Sequence, residues 1–264
     1  MKRAIGVFDS GVGGLTVFKA LRKELPREKL LYFGDTARVP YGTKTKESVT
    51  RFSMEIASFL EKRGIKLLVV ACNTASSLSL GALKRALTIP VVGVIRPAVR
   101  AAVATTKTGT IGLIGTEATV GSGAYQKALS SIASYDRIVA RPCPLFVPLV
   151  EEGWWDGKVT RAVAEEYLAP LKRSKMDALI LGCTHYPMIA PLLQRVVGSR
   201  VKLVDSGRET AREVRAVLEK EGLLNATGRG NQTFFVTDGA ERVKRLARRF
   251  LGSSSPRVHI ARLP

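Results

Sequence analysis

The chain has 264 residues, 45% hydrophobic and 24% charged, which is ample for one large α/β domain or two smaller ones and too apolar for a disordered chain. Its 42 Lys and Arg against 22 Asp and Glu give a formal charge of +20, which favours acidic metabolites or polyanions as partners and says nothing about fold. Three cysteines without close spacing exclude a disulfide framework, and the start "MKRAIGVFDSGVGG" and the short aliphatic runs do not fit a signal peptide or a membrane span, so a reducing cytoplasm is expected.

"AIGVFDS" is a short apolar run ending in polar residues, and "GGLTVFKALRKEL" then sets Leu15, Phe18, Leu21 and Leu25 at helical spacing. "KLLYFGD" predicts a second strand, "KESVTRFSMEIASFLEKRG" a helix closed by Gly64, "IKLLVVA" a third strand and "TASSLSLGALKRAL" a further helix. Continuous apolar strands separated by helices point to parallel sheets covered on both faces.

The second half starts over. "GTIGLIGTEATVGSGAYQKAL" echoes "RAIGVFDSGVGGLTVFKAL" as an Ile-Gly strand, a small polar loop and a helix. Each half later delivers a cysteine at comparable distance, Cys72 after "LLVVA" and Cys183 after "ALILG". "VKLVDSGRETAREVRAVLEKEG" adds another strand, loop and helix, and the tail carries "TFFVTD" and the basic "AERVKRLARRFLG". The expected fold is α/β, with two pseudo-symmetric lobes of mostly parallel sheet: residues 1–97 plus 208–264 form the first lobe and 98–207 the second. In the basic helix Val243, Leu246, Ala247 and Phe250 share one face, and Arg242, Arg245, Arg248 and Arg249 occupy the rest. With no nucleic-acid fold signature beside it, a solvated amphipathic surface helix is the expected reading, and a nucleic-acid or polyanion site the alternative.

Ligands on open α/β sheets bind beyond the carboxyl ends of the strands. The loops expected there are "DSGVGG", "GDTARVPYG", "CNTASS", "GTEAT", "EEG" and "CTHYP", rich in Gly, hydroxyl, amide and acid groups and poor in Lys. Backbone N–H groups at such turns hold carboxylates well. Two thiols facing each other across a pocket can act as general acid and general base on opposite faces of a carbon, which is the requirement for inverting its configuration. Asp9 can assist one cysteine, and His185, alone or with Glu151, the other.

The stretches "GVFDSGVGGLTV", "YFGDTARVPYG", "ACNTAS", "CPLFVPLVEEG" and "GCTHYP" resemble the glutamate racemase family, in the aspartate/glutamate racemase superfamily, over about residues 5 to 210. The resemblance implies two α/β lobes around a central cleft and cofactor-independent interconversion of L- and D-glutamate, with D-glutamate feeding peptidoglycan; it also implies a homodimer. Carried over by motif, Cys72 is the thiol that deprotonates D-glutamate and Cys183 the one that deprotonates L-glutamate. Asp9 supports Cys72, and His185 with Glu151 supports Cys183, the choice of Glu151 over Glu152 resting on "LVEEG" alone. Ser10, Pro40, Tyr41, Gly42, Asn73, Thr74, Thr116, Thr119 and Thr184 match positions that hold the substrate's carboxylates and amino group. The +20 charge departs from what the resemblance leads one to expect.

Each residue also has a plainer reading. Either cysteine alone is more simply a small core hydrophobe, Asp9 a helix N-cap, and His185 or His259 a strand-end cap. Cys143, between prolines in "RPCPLF", is expected to be structural, and Asp35 to order its loop. A Cys183/His185 hydrolase leaves Cys72 idle. Zinc finds no C-x-x-C and only two histidines. "GTIGLIG" lacks the G-x-G-x-x-G spacing, "DSGVGG" lacks the P-loop Lys and Ser/Thr, and nothing marks a pyridoxal phosphate lysine. No cofactor, metal or membrane is expected.

Overall fold

A computed structural model describes residues 3–133, 137–252 and 257–263. The first half runs β1 (Ala4–Asp9), α1 (Leu15–Glu24), β2 (Leu30–Gly34), α2 (Lys46–Glu61), β3 (Ile65–Val70), α3 (Asn73–Leu78), α4 (Leu80–Ala86), β4 (Val91–Gly93) and α5 (Ile95–Thr105). The second runs β5 (Thr110–Gly115), α6 (Glu117–Gly121), α7 (Ala124–Ser130), β6 (Arg137–Pro142), α8 (Phe146–Glu151), α9 (Lys158–Arg173), β7 (Ala178–Gly182), α10 (Ala190–Val197), β8 (Lys202–Asp205) and α11 (Ser206–Lys220). The chain closes with β9 (Gln232–Val236), α12 (Ala240–Leu251) and β10 (Val258–Ile260).

Two parallel sheets result, one of six strands in the order β10-β9-β2-β1-β3-β4 and one of four in the order β6-β5-β7-β8. The order 2-1-3-4 in one therefore recurs as 6-5-7-8 in the other, so the echo read in the sequence is a repeat of topology. Consecutive residues of β1, β3, β5 and β7 are buried, as strands covered on both faces must be. One apolar cluster runs from Ile5, Val7 and Val69 through α1, α5 and α11 to Ile111 and Ile180; a second packs Phe8, Leu68 and Val70 under Phe52, Ile56 and Leu60 of α2. The one charge inside β3, Lys66, is only 5% exposed and is met by Glu28 at 2.7 Å and the Leu223 carbonyl at 2.6 Å, so its burial is compensated.

Local chemistry sets the ends of the helices. Thr45 accepts the Ser48 N–H at 3.2 Å to start α2, and Gly64, at φ +70, turns the chain after it into β3. Asp205 accepts the Gly207 N–H at 2.9 Å at the start of α11. Three expectations need correction. The single helix expected over "TASSLSLGALKRAL" is two, broken at Ser79, whose hydroxyl bonds back to the Ala75 carbonyl at 2.7 Å and across to Ser53 at 2.9 Å. The polar loop expected at "GTEAT" turns into helix α6 at Glu117, because Thr116 caps it by accepting the Thr119 N–H at 3.2 Å. "EEG" is no strand-end loop; Glu151 ends α8.

In α12 the face of Val243, Leu246, Ala247 and Phe250 is buried as its spacing predicts, at 6% exposure or less. Among the described residues no helix is long and apolar enough to cross a membrane.

Candidate active site

Parallel strands present their carboxyl ends on one side, so the residues just after β1, β3, β5 and β7 meet where the two sheets face each other. A cavity of about 340 Å³ lies there. It is lined by Ser10, Pro40, Tyr41, Gly42, Cys72, Asn73, Thr74, Thr116, Glu151, Cys183, Thr184 and His185, all named from the sequence. Gly11, Val39, Val147 and Pro148, which the sequence did not single out, complete it. Asp9 and Thr119 stand behind the wall rather than in it. Among the described residues no Lys or Arg lines the cavity, so a carboxylate entering it meets hydroxyl, amide and backbone donors.

Cys72 follows β3 and opens α3. Its thiol donates to Ser10 Oγ at 3.5 Å, and its sulfur accepts the Ala75 N–H at 3.4 Å. Burial, with the Asp9 charge adding, pushes its pKa up to about 12, against the opposing pull of those two contacts. Cys183 follows β7, with its sulfur 3.8 Å from His185 Nδ1. His185 Nε2 lies 3.1 Å from Glu151 Oε1, and Arg242 Nη2 donates to Glu151 Oε2 at 2.9 Å. Burial alone lowers a histidine's pKa, but the contacts to Cys183 and Glu151 prevail and raise His185 to about 10. The ring is thus an imidazolium at neutral pH, its Nδ1–H turned to Cys183 and its Nε2–H to Glu151. Burial raises the Glu151 carboxyl, but the hydrogen bond from His185 and the charges of His185 and Arg242 outweigh it, and the net shift is downward. Glu152, next in sequence, is exposed.

Asp9 is fully buried and accepts the Gly11 N–H at 2.9 Å and the Thr184 hydroxyl at 3.4 Å. Burial raises its pKa, against the pull of the His185 charge and its backbone donors. It reaches Cys72 through its field and Cys183's loop through Thr184. Gly13 is fixed by close approach, because a Cβ there would collide with His185 Nδ1 and Thr184 Oγ1.

The polar floor joins both halves. Thr74 Oγ1 lies 2.9 Å from Thr116 Oγ1 and 3.2 Å from Thr119 Oγ1, so α3 and α6 meet through hydroxyls. Tyr125 donates to Asn73 Oδ1 at 2.6 Å, whereas Asn73 Nδ2, also buried, finds no acceptor among the described residues. Asp35 orders its loop, accepting from Arg38 Nε at 2.7 Å, Thr237 Oγ1 at 3.0 Å and the Tyr41 hydroxyl. Cys143 is buried outside the cavity, its thiol donating to the Arg141 carbonyl at 3.5 Å. His259 lies in β10 against the Phe235 ring. Arg242 and Phe250, whose ring meets His185 edge-on at 5.9 Å, come from α12, and no spacing in the sequence ties them to Glu151 or His185.

Two parallel-sheet halves closing on a pair of buried free thiols, set among hydroxyl, amide and backbone donors, match a known class. The chain belongs to the Asp/Glu/Hydantoin racemase family, which it matches over residues 5–214. A glutamate racemase of Geobacter metallireducens is 55% identical over 251 residues, 95% of this chain and 93% of that protein. One from Thermus thermophilus is 54% identical over 248 residues, 94% and 92% of the two chains. The crystal structure of a glutamate racemase isoform from Bacillus anthracis superposes with a TM-score of 0.97 at 40% identity, covering 100% of this chain and 99% of that one. The Francisella tularensis glutamate racemase, solved in complex with D-glutamate, gives 0.92 at 36% identity over 99% and 98%. By this kinship the protein is an amino-acid racemase, of the glutamate racemase branch.

Proposed function

We propose that the protein interconverts L- and D-glutamate without a cofactor, by proton transfer between the substrate α-carbon and two thiols. The observation that carries this is the placement of Cys72 and Cys183, each buried and free, in one cavity but after strands of different sheets. Each has its own partners, Ser10 on one side and the His185–Glu151 pair on the other. The crystallised relative bound to D-glutamate supports the choice of substrate.

In the forward direction the Cys183 thiolate, beside the His185 imidazolium, takes the α-proton of L-glutamate. The electron pair left on the carbon spreads into the α-carboxylate, whose growing charge is met by the Asn73 amide and the Thr74 and Thr116 hydroxyls. The Cys72 thiol then gives its proton to the opposite face of the carbon and becomes a thiolate. The product is D-glutamate, and the two sulfurs have exchanged protonation states. D-Glutamate reacts by the reverse path, starting from Cys72. The high pKa of Cys72 makes it the protonated partner in the free enzyme and a strong base once it has given up its proton. Asp9, near both thiol loops, adjusts the field at Cys72. D-Glutamate made in the cytoplasm in this way would feed peptidoglycan synthesis.

The test is Cys72→Ala and Cys183→Ala, each assayed in both directions. Each is expected to fold and to lose racemisation by at least roughly 10²–10⁴-fold, the contribution of a positioned acid or base. Full turnover by either variant would remove that thiol from the mechanism.

A further inference from the structure

Helix α12 lies beyond residues 5–214, the stretch the family match covers, yet two of its side chains touch residues that line the cavity, Arg242 on Glu151 and Phe250 on His185. It is inserted between β9 and β10 of the six-stranded sheet and anchored by Val243, Leu246, Ala247, Phe250 and Leu251. Glu151 ends α8, in the half built on the four-stranded sheet. The Arg242–Glu151 ion pair therefore spans the two halves, and it engages the carboxylate oxygen that His185 leaves unused. Phe250 meets the same imidazole edge-on. Without Arg242, Glu151 would have one fixed partner and an open side toward solvent, its side chain already 21% exposed.

We infer that Arg242 is a positioning residue: it fixes the Glu151 carboxylate in the orientation that receives His185 Nε2–H, so a helix of one half sets the imidazolium beside Cys183 in the other. This rests on the reading of Cys183 as one of the two catalytic thiols. The pair is partly exposed, so its Coulomb energy is modest and its effect is geometric.

The direction of one measurement separates this role from a bulk charge effect. The titratable groups facing His185 are Cys183 at Nδ1, Glu151 at Nε2 and Asp9 from the end of β1; α12 adds the Phe250 ring directly and Arg242 through Glu151. Removing a cation from this neighbourhood, with Glu151 held in place, raises the imidazole pKa. Releasing Glu151 to solvent takes away its hydrogen bond and its nearby negative charge, and the pKa falls.

The experiment is ¹⁵N-imidazole NMR titration of the full chain. It has two histidines, and a His259→Asn variant assigns the His185 signal. Arg242→Gln is expected to lower the His185 pKa by about one unit or more. It is also expected to cut kcat about tenfold while moving KM less than about twofold, the mark of a misplaced catalytic group rather than lost binding. Arg242→Lys should restore part of both, and Arg245→Gln, which removes the same charge from the same helix, should change neither. Glu151→Gln should reproduce the kcat loss, and Arg242→Gln added to it should cost nothing more, because both act through one contact. A His185 pKa that stays or rises in Arg242→Gln, or losses that add in the double variant, would overturn the inference. The titration arm needs no turnover, so it reads this contact even if the proposed reaction fails.

Discussion

Tyr125→Phe removes one oxygen from a residue with no exposed surface and tests how the substrate's carboxylate is gripped. The Tyr125 hydroxyl has a single proton and spends it on Asn73 Oδ1 at 2.6 Å. Burial first, and then the nearby Cys183, raises the phenol pKa, so it stays a donor throughout the working pH range. That bond fixes the amide of Asn73, a cavity-lining residue, with Oδ1 on the phenol, and leaves Nδ2, buried in the free protein, without a protein acceptor among the described residues. Losing it leaves a buried carbonyl oxygen unpaired, which costs about 1–3 kcal/mol of stability, read by urea unfolding of the free protein. It also frees the amide to turn away from the substrate. A hydrogen bond to a charged group is worth about 1.5–3 kcal/mol, so kcat/KM should fall roughly tenfold to a hundredfold. Because substrate and product are enantiomers of equal free energy, the fall must be the same in both directions. Circular dichroism of each enantiomer in turn measures it. A variant that loses stability as expected but keeps kcat/KM within about twofold would show that Asn73 does not hold the substrate, and the reasoning fails.

Three further predictions address other parts of the site. Gly13→Ala, whose new methyl collides with His185 Nδ1 and Thr184 Oγ1, should keep its far-UV spectrum and lose about a hundredfold in kcat; wild-type turnover would show that the loop has room to spare. The His185 pKa near 10, against 6.5 unperturbed, gives stability that is fully present below pH 6.5 and is lost as pH climbs to 10. The raised Cys72 pKa has the same sign, with stability lost above pH 9 as the unfolded thiol ionises. Tm of the free protein should therefore fall steadily above pH 6.5, and His185→Asn should flatten the lower part of that fall; an unchanged slope in that variant would contradict the pKa assignment. Iodoacetamide should inactivate by alkylating Cys72 or Cys183, with glutamate protecting and Cys143, buried outside the cavity, unmodified by mass spectrometry; inactivation tracking Cys143 alone would displace the thiol assignment.

Most of the architecture is written in local pattern, because a parallel strand buried on both faces needs an unbroken apolar run and few other elements produce one. "AIGVFD", "IKLLVV", "TIGLIG" and "ALILG" could therefore be placed as strands, and with them the thiols and hydroxyls at their ends. What failed depends on contacts between distant residues. Ser79 breaks its helix partly by bonding Ser53, and nothing near "SSLSLG" announces that partner. The acid of "LVEEG" could be narrowed only in three dimensions, where Glu151 meets His185 and Glu152 faces outward. The basic tail helix was legible as an amphipathic surface element, and its buried face is the one its spacing gives. That Arg242 and Phe250 on it back Glu151 and His185 was not legible, since the pairing of residues 91 positions apart, as in Arg242 and Glu151, leaves no periodic trace.

In the proposed reaction two thiols move the α-proton through solvent-exchangeable positions. It is tested most directly by incubating the purified protein with L-glutamate in D₂O, with no cofactor added, and following both configuration and isotope at the α-carbon. The expected product is D-glutamate carrying one α-deuterium, formed at an unchanged rate in the presence of a metal chelator. Inversion with the original α-hydrogen retained, or no inversion by demonstrably folded protein, would contradict it.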